Sequence, residues 1–243
     1  MDTKLIILPS CGKVYSIEGV EEKSKVEIRE PLGKDEMLLT NTSLLGSGDV
    51  FIRLIQNLLV DKKWKNIDFL SADSEAILFA IRYLMYGNYK NKVVCPECKT
   101  EQEYEFQLNE LRITTLDVDP VEPGKNLFLF VASDGTNIQF SLPTDNFEKE
   151  LSIFISKNKG KSGINFLFER HIRLVKSINN MSEPDKIRNY IENGMKVSTF
   201  KEFRDYVKSI TPGVIKTYET RCNNCAASFN VDMTMGADFF WVI

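Results

Sequence analysis

The chain has 243 residues, of which 43% are hydrophobic and 27% are charged, as in an ordinary soluble protein with one large domain or two small ones. Its net charge of -3 gives no electrostatic reason to expect nucleic-acid binding, which normally requires a clustered basic excess. No stretch approaches the roughly 20 apolar residues of a membrane span, and the apolar run before Pro9 is too short for a signal peptide, so we expect a cytoplasmic protein.

The N-terminal residues predict β-structure followed by a short helix. KLIIL and KVYSI are short apolar or alternating runs on either side of the turn PSCG, and each predicts a strand. SKVEIRE predicts a further strand with Val26 and Ile28 on one face. GKDEMLLTN then predicts a short helix from Asp35.

Two longer helices follow. GSGDVFIRLIQNLLVDK has a helical apolar stripe and predicts a helix with Ser47 or Asp49 as its N-cap. SADSEAILFAIRYLMYGN predicts a helix that begins near Ser71 or Asp73 and ends at Gly87. The negative charge of Asp73 in the first turn is explained most simply by the helix dipole.

The second half of the chain is largely helical after one hairpin. Residues 112–124 carry two prolines and predict a connection, and KNLFLFVASDGTNIQFSL predicts a hairpin that turns at Asp134 and Gly135. From Thr144 we predict helices in four stretches: TDNFEKELSIFISK, GINFLFERHIRLVKSI, EPDKIRNYIENG and STFKEFRDYVKSI. The β-like stretch VIKTYETRCNNCAASFNVDM and the apolar end DFFWVI complete the chain.

Two cysteine pairs share one local pattern. Cys95 and Cys98 lie in NKVVCPECKT, Cys222 and Cys225 lie in RCNNC, and each pair is flanked on both sides by a predicted strand. In a reducing compartment such pairs are more often metal ligands than disulfides. Zinc prefers tetrahedral thiolate ligation, and two such turns would supply four cysteine ligands. We therefore predict a closed, structural Zn²⁺ site.

The two pairs lie far apart in the sequence. Residues 99–221 separate them, whereas a compact zinc ribbon has a gap of about 15–20 residues. The intervening residues must then form a folded insertion that returns its ends to one place. Two other interpretations remain open, namely a pair of turns that has lost its metal and a redox dithiol, although nothing around either pair matches a thioredoxin-like unit.

These patterns predict an α+β fold of short β segments and helices, with a split zinc-ribbon-like pair of knuckles that carries four cysteines, and an inserted hairpin-plus-helices subdomain. We predict three regions. Residues 1–115 form an N-terminal α+β region with the first knuckle, residues 116–213 form the inserted subdomain, and residues 214–243 carry the second knuckle and the apolar tail. The third region is expected to pack back on the first.

The sequence offers no catalytic constellation. His171 is the only histidine, and no nucleophile-elbow or phosphate-loop pattern accompanies it. We therefore predict a protein without enzymatic activity, in which His171 has a structural role on the surface or partly buried.

The apolar C-terminus predicts a contact. Its aromatic and aliphatic side chains, Phe239, Phe240, Trp241 and Ile243, would be costly to leave in water. Terminal residues normally fray unless they are docked. They are expected to pack either on their own domain or into a partner, and in the second case they are the candidate partner-binding residues.

The order of these elements resembles the baseplate hub and tail-assembly proteins of T-even-type contractile-tailed bacteriophages. The matching positions are Leu8, Pro9, Ser10, Gly12, Tyr15, Leu70, Asp73, Arg82, Tyr86, Gly87, Cys95, Pro96 and Cys98. The resemblance covers roughly residues 1–115 and, more weakly, the second knuckle with the aromatic C-terminus. Ser74 stands where the family pattern leads us to expect a basic residue, and the helical stretch 144–210 matches nothing that we can name.

The resemblance implies a non-enzymatic component or assembly factor of the baseplate hub, acting through contacts with other hub or tail proteins. It would be found in the host cytoplasm during assembly, or in the virion baseplate. The alternative is a zinc-ribbon protein that binds nucleic acid or regulates expression. The acidic residues Glu97, Glu101, Glu103 and Glu105 beside the first knuckle argue against phosphate contacts.

Overall fold

The structure, a computed structural model, describes residues 3–40, 49–159, 165–233 and 239–240. The helices in these ranges are α1 (Gly33–Leu39), α2 (Val50–Leu58), α3 (Ser71–Tyr86), α4 (Asp145–Asn158), α5 (Phe166–Leu174), α6 (Pro184–Asn193) and α7 (Val197–Ile210), with a 3₁₀ turn at Lys62–Trp64. The strands are β1 (Thr3–Ile7), β2 (Lys25–Arg29), β3 (Tyr89–Val94), β4 (Glu101–Phe106), β5 (Ile113–Thr114), β6 (Phe128–Val131), β7 (Asn137–Phe140), β8 (Val175–Ile178), β9 (Gly213–Val214), β10 (Thr217–Arg221) and β11 (Ser228–Asp232).

The described strands form small antiparallel sheets, four of two strands and one of three in the order β6-β7-β8. This mixture of helices and small sheets confirms the α+β class. None of the helices within the described ranges is long and apolar enough to span a bilayer.

Helix α3 lies at the centre of the N-terminal region. Its residues from Ala76 to Arg82 are all buried, so this helix is covered on every side. Strand β1 and helix α2 pack beside it, and the predicted stripe of α2 faces inward through Leu54 and Leu58. The alternation in β2 places Val26 and Ile28 in the core as predicted.

The predicted N-caps of these helices are only partly right. Helix α2 does begin after Asp49, but the Asp49 side chain pairs with Lys149 at 2.6 Å instead of capping the helix. Ser47 lies outside the described residues. Helix α3 has Leu70 as its N-cap, so neither Ser71 nor Asp73 serves in that role.

A buried hydrogen-bond network lies where the strand KVYSI was predicted, since residues 13 and 14 form part of a turn and residues 15–17 are irregular. The Asp73 carboxylate accepts hydrogen bonds from the Ser10 backbone N–H at 2.8 Å and from the Tyr15 hydroxyl. The same hydroxyl accepts the Leu70 N–H at 2.9 Å. Burial raises the pKa of Asp73, although these hydrogen bonds lower it. The helix-dipole explanation of Asp73 was therefore incomplete, since this carboxylate ties the N-terminal turns to α3.

The predicted hairpin is confirmed, and one strand was missed. Strands β6 and β7 pair antiparallel around the turn at Asp134 and Gly135, where Gly135 has a φ of +84° that favours glycine. The end of the stretch predicted as helix, Val175–Ile178, instead forms β8 and pairs with β7. Its Val175 and Ile178 are buried, and strand pairing through β-branched residues overrides the helical pattern there.

The two ends of the insertion meet, as a split site requires. Strands β5 and β9 pair through Ile113 and Val214. One buried apolar cluster includes residues from before, within and after the insertion, from Ile6 to Phe240. The division into residues 1–115, 116–213 and 214–243 stays a prediction.

The N-termini of α3 and α4 lie against each other and bury a carboxyl group. The Ser74 hydroxyl donates to Asp145 at 2.5 Å, and burial raises the pKa of Asp145 to about 7. The nearby carboxylates of Asp68, Asp73 and Glu148 contribute to this raised pKa, and the hydrogen bond from Ser74 opposes it. Asp145 is therefore partly protonated near neutral pH in the folded protein.

We expect this group to make folding stability fall as the pH rises. The folded pKa of Asp145 lies above its ordinary unfolded value, so the folded state binds more protons between pH 4 and 7. Its contribution is complete below about pH 4 and is lost by about pH 7, with a difference of at most about 4 kcal/mol in the free energy of unfolding. Urea titrations of wild type and Asp145→Asn at several pH values test this, since the variant should lack that slope. Parallel pH profiles would contradict the expectation.

Candidate metal centre

The four predicted cysteines come together in space. Their Sγ atoms all lie within 4.8 Å of one another, with 3.7 Å between Cys95 and Cys225 and 3.5 Å between Cys98 and Cys222. A disulfide would require about 2.05 Å, and all four cysteines are free thiols. Four sulfurs around one tetrahedral zinc, each about 2.3 Å from the ion, would lie about 3.8 Å apart. The cluster has the donor set and the size that such an ion requires.

Each pair lies on a six-residue loop between two strands, and both loops are closed in the same way. The first loop joins β3 to β4, and Cys95 donates its N–H to the Thr100 carbonyl at 3.0 Å. The second joins β10 to β11, and Cys222 donates its N–H to the Ala227 carbonyl at 2.9 Å. The repeated sequence pattern thus folds into two equivalent knuckles.

A left-handed residue follows the second cysteine of each knuckle. The Lys99 N–H bonds to the Cys95 carbonyl at 3.1 Å, and the Ala226 N–H bonds to the Cys222 carbonyl at 3.0 Å. Lys99 has a φ of +59° and Ala226 a φ of +60°, which residues with a Cβ rarely adopt. The chain accepts this conformation because it reverses direction within one turn and brings both thiols of a pair to the same side.

Replacing Ala226 with glycine should stabilise the protein slightly. The left-handed conformation costs roughly 1–2 kcal/mol with a Cβ, and glycine removes that cost while losing about 0.5–1 kcal/mol in chain entropy. The matched control is Ala227→Gly at the neighbouring position, which is not left-handed and should lose stability. Thermal melting of both variants measures the difference, and a destabilised Ala226→Gly would contradict the predicted strain.

Burial differs between the first and second cysteine of each pair. Cys95 and Cys222 are 0% and 3% exposed, whereas Cys98 is half-buried and Cys225 is exposed. The first thiols therefore point into the space between the hairpins, and the second thiols lie at its outer side. Four thiolates around one ion would leave no coordination position for a substrate, which is the arrangement of structural sites.

The environment favours ionisation of one thiol first. Hydrogen bonds from Thr100 and Asn224 lower the pKa of Cys98 to about 5. The Ala227 backbone N–H lowers the pKa of Cys225, but the neighbouring sulfurs raise it more, to about 12. Crowded thiolates repel one another, so the full set of four is stable only beside a cation, and binding it would release protons.

Side chains also join the two hairpins directly. Gln102 of β4 donates its Nε2–H to the Arg221 carbonyl at 3.0 Å and accepts the Asn223 N–H at 2.9 Å. Farther from the cysteine loops, the rings of Phe106 on β4 and Tyr218 on β10 lie 5.4 Å apart. Sequence reasoning missed Gln102, and no local pattern marks it, because its partners lie on the other hairpin.

The C-terminal aromatic residues pack on the N-terminal region. Phe239 and Phe240 are 0% and 1% exposed, and their rings lie 5.1 Å from Phe79 and 5.2 Å from Phe51 respectively. The buried Arg82 of α3 donates its Nε–H to the Phe239 carbonyl at 2.5 Å. This hydrogen bond from a guanidinium to a main-chain carbonyl fixes the backbone of Phe239 against α3.

The four predicted partner-binding residues therefore fall into two groups, of which only the first is described by the structure. Phe239 and Phe240 belong to the core of their own chain and are not exposed for a partner, because the aromatic pocket around them is already provided by α2 and α3. Trp241 and Ile243 lie outside the described residues, and a partner-binding role for them stays a prediction.

The single histidine has a local partner. His171 Nδ1 lies 2.7 Å from the Leu167 carbonyl one turn earlier in α5, and burial lowers the pKa of its imidazole. The ring of Phe200 is its aromatic neighbour, at 6.4 Å. These contacts place the imidazole between α5 and α7, where it packs.

Comparison with known proteins supports one family. A family model described as T4 bacteriophage base plate protein matches residues 3–241. No curated protein and no solved structure matches the chain. Because the match covers both knuckles and the insertion between them, the resemblance seen in the first 115 residues extends to nearly the whole sequence. The chain belongs to the T4 bacteriophage base plate protein family.

Proposed function

We propose that the chain is a non-enzymatic component or assembly factor of the phage baseplate hub, held in shape by a structural Zn²⁺ at Cys95, Cys98, Cys222 and Cys225. The observation that supports the zinc site best is the meeting of four thiols from two equivalent knuckles separated by residues 99–221. Membership of a structural baseplate family supports the role.

The metal would fasten distant parts of the chain. It would join the β3–β4 hairpin, which follows α3, to the β10–β11 hairpin, which follows the insertion, across the Gln102 contacts. Bound zinc supplies no chemistry here beyond tetrahedral thiolate ligation, which contributes directly to folding. A chain fixed in this way presents constant surfaces, and an assembly protein recognises its partners by such surfaces.

The partners would be other tail and baseplate proteins, and the encounter would take place in the host cytoplasm during assembly. Deleting the gene tests the role: baseplate or tail assembly should stop, and the wild-type gene should restore it. Mass spectrometry of virions then distinguishes the two roles, because a baseplate component remains in the particle and an assembly factor does not. Normal tails in the deletion would contradict both.

The alternative, a nucleic-acid-binding role, predicts free cationic groups near the first knuckle. The lysines of β3 are already paired on the neighbouring strand, Lys90 with Glu103 at 3.0 Å and Lys92 with Glu101 at 2.8 Å. Phosphate contacts need free cationic groups and show as salt-dependent affinity. Tight, saturable binding of DNA or RNA at physiological salt would overturn the assembly proposal in favour of this alternative.

A further inference from the structure

We propose that strand β1 is an open edge that accepts an extended segment of another protein, in which two apolar residues flank an acidic one. The inference rests on the proposed function in supposing a protein partner, and it adds where that partner binds and what chemistry it presents. Three features of β1 carry it: the direction of its backbone groups, two exposed apolar side chains on its outer face, and a cation on its inner face that has no carboxylate partner within the described residues.

The register of β1 with β2 fixes where the backbone groups point. Leu8 donates its N–H to the Ser24 carbonyl at 2.8 Å, and these residues lie opposite each other when the β1–β2 register is continued. Bonded and non-bonded pairs alternate along an antiparallel ladder. The N–H and C=O groups of Thr3, Leu5 and Ile7 therefore point away from β2, toward the free edge.

The other side of β2 confirms this alternation. The Glu27 carbonyl, opposite Leu5, points away from β1 and accepts the Val60 N–H at 3.0 Å. Residues 59–60 thus cover the far edge of β2. In the described part of the chain, β1 pairs with β2 alone, so its outward groups offer the hydrogen bonds that an added strand requires.

The outer face beside this edge carries two exposed apolar side chains next to polar ones such as Thr3 and Glu27, which are hydrogen-bonded to each other. The side chains of Leu5 and Ile7 are 58% and 55% exposed, and Val60 is 44% exposed at the end of the row Leu5–Glu27–Val60. Exposed apolar side chains on an open edge are a hazard that soluble proteins normally avoid. A partner strand would cover Leu5 and Ile7 with side chains two residues apart.

The inner face of β1 carries a cation without a carboxylate. The Lys4 ammonium lies 4.4 Å from the centre of the Tyr83 ring, and within the described residues no carboxylate pairs with it. Burial lowers the pKa of Lys4, so a nearby anion would be favourable. On a partner strand that covers Leu5 and Ile7, the residue between the two apolar ones stands opposite Ile6 and points to this face, and an aspartate or glutamate there would be a diagonal neighbour of Lys4.

Peptide binding to the intact protein tests the proposal. The probe is a short blocked peptide with valine, glutamate and valine at its centre and threonine elsewhere, and its control has lysine in place of glutamate. Binding is followed by NMR amide shifts and hydrogen exchange. We expect saturable shifts and slowed exchange at Leu5 and Ile7, and an affinity about three- to tenfold higher for the glutamate peptide.

Substitutions in β1 test whether the strand edge itself binds the peptide. Leu5→Pro removes an outward N–H without removing a β1–β2 hydrogen bond, and it should abolish binding in a folded protein. The control is Val131→Pro on β6, another described edge strand with exposed apolar side chains, which should leave binding unchanged. Lys4→Glu should reverse the preference between the two peptides.

Each other outcome would overturn the inference. Absence of saturable shifts at β1 in folded protein would show that the edge is closed, and equal affinity for both peptides would remove the role of Lys4. Concentration-dependent protection of Leu5 without peptide would identify a second copy as the occupant instead. None of these results depends on zinc content or on the deletion phenotype, so a failure here is distinguishable from a failure of the proposed function.

Discussion

Removing zinc from the four-cysteine cluster is expected to lower the free energy of unfolding by about 3–5 kcal/mol, in the range of losing a structural metal or disulfide. For a chain of this size that corresponds to a fall of roughly 6–20 °C in the melting temperature. The cause is specific, because chelation leaves four crowded thiols between two hairpins that otherwise meet mainly through Gln102 and a few rings. Melting curves of reduced protein with and without chelator measure the effect.

Serine substitutions show whether the cluster is responsible. Cys95→Ser and Cys222→Ser each remove a buried ligand and should reproduce the loss seen on chelation, with little further effect of the chelator. Cys11 is a free thiol outside the cluster, so Cys11→Ser is the matched control and should melt like wild type and respond fully to chelator. Equal melting temperatures for all three variants would contradict a metal-bearing cluster.

Replacing Asp73 with alanine is expected to cost about 3–5 kcal/mol. The change leaves the Ser10 N–H and the Tyr15 hydroxyl without their acceptor in a site that water does not reach. Asp73→Asn keeps an acceptor and the side-chain volume, so its cost should be smaller, at about 1–2 kcal/mol. Urea denaturation at constant pH gives both values.

A control for Asp73 lies in the same helical turn. Glu75 forms an ion pair with Lys216 at 2.8 Å near the surface, and Glu75→Ala should cost at most about 1 kcal/mol. If Asp73 acted only through the helix dipole, both substitutions would have similar small effects. That result would contradict the claim that the Asp73 hydrogen-bond network holds the N-terminal turns to α3.

The cysteine cluster could be predicted because its information is local. Each Cys-x-x-Cys turn sits between alternating strands, and the same pattern in VVCPECKT and RCNNCAA indicates one common structure for both. Zinc favours four thiolates around one ion, so the two pairs were expected to meet, and the structure does bring Cys95 and Cys225 together. The helices from α2 onward could be predicted for a similar reason, because their apolar residues recur at helical spacing.

The missed features depend on contacts between distant residues. KVYSI alternates like a strand, yet Tyr15 lies in an irregular segment, where its hydroxyl is hydrogen-bonded to Asp73 and Leu70, far along the chain. The sequence of Val175–Ile178 predicts the end of a helix, but in the structure this segment pairs with β7 as a strand. No window of sequence contains both partners of such a contact.

Many of the residues that carried the family resemblance lie at the two ends of α3. Ser10, Tyr15, Leu70 and Asp73 form the buried network at the start of α3. At the other end of the same helix Arg82 bonds to the Gly87 carbonyl at 3.1 Å and to the C-terminal tail. The resemblance therefore rests on the two ends of one central helix and, through Cys95, Pro96 and Cys98, on the first knuckle, which explains why its motifs are spread along the sequence.

The zinc content of freshly purified, reduced protein tests the central claim most directly. Elemental analysis should find about one zinc per chain, and X-ray absorption should show four sulfur ligands at about 2.3 Å. Cys11→Ser protein should give the same values, and Cys95→Ser protein should have lost the ion or bind it with one oxygen ligand. Reduced wild-type protein that contains no stoichiometric zinc and does not take it up when it is supplied would contradict the account.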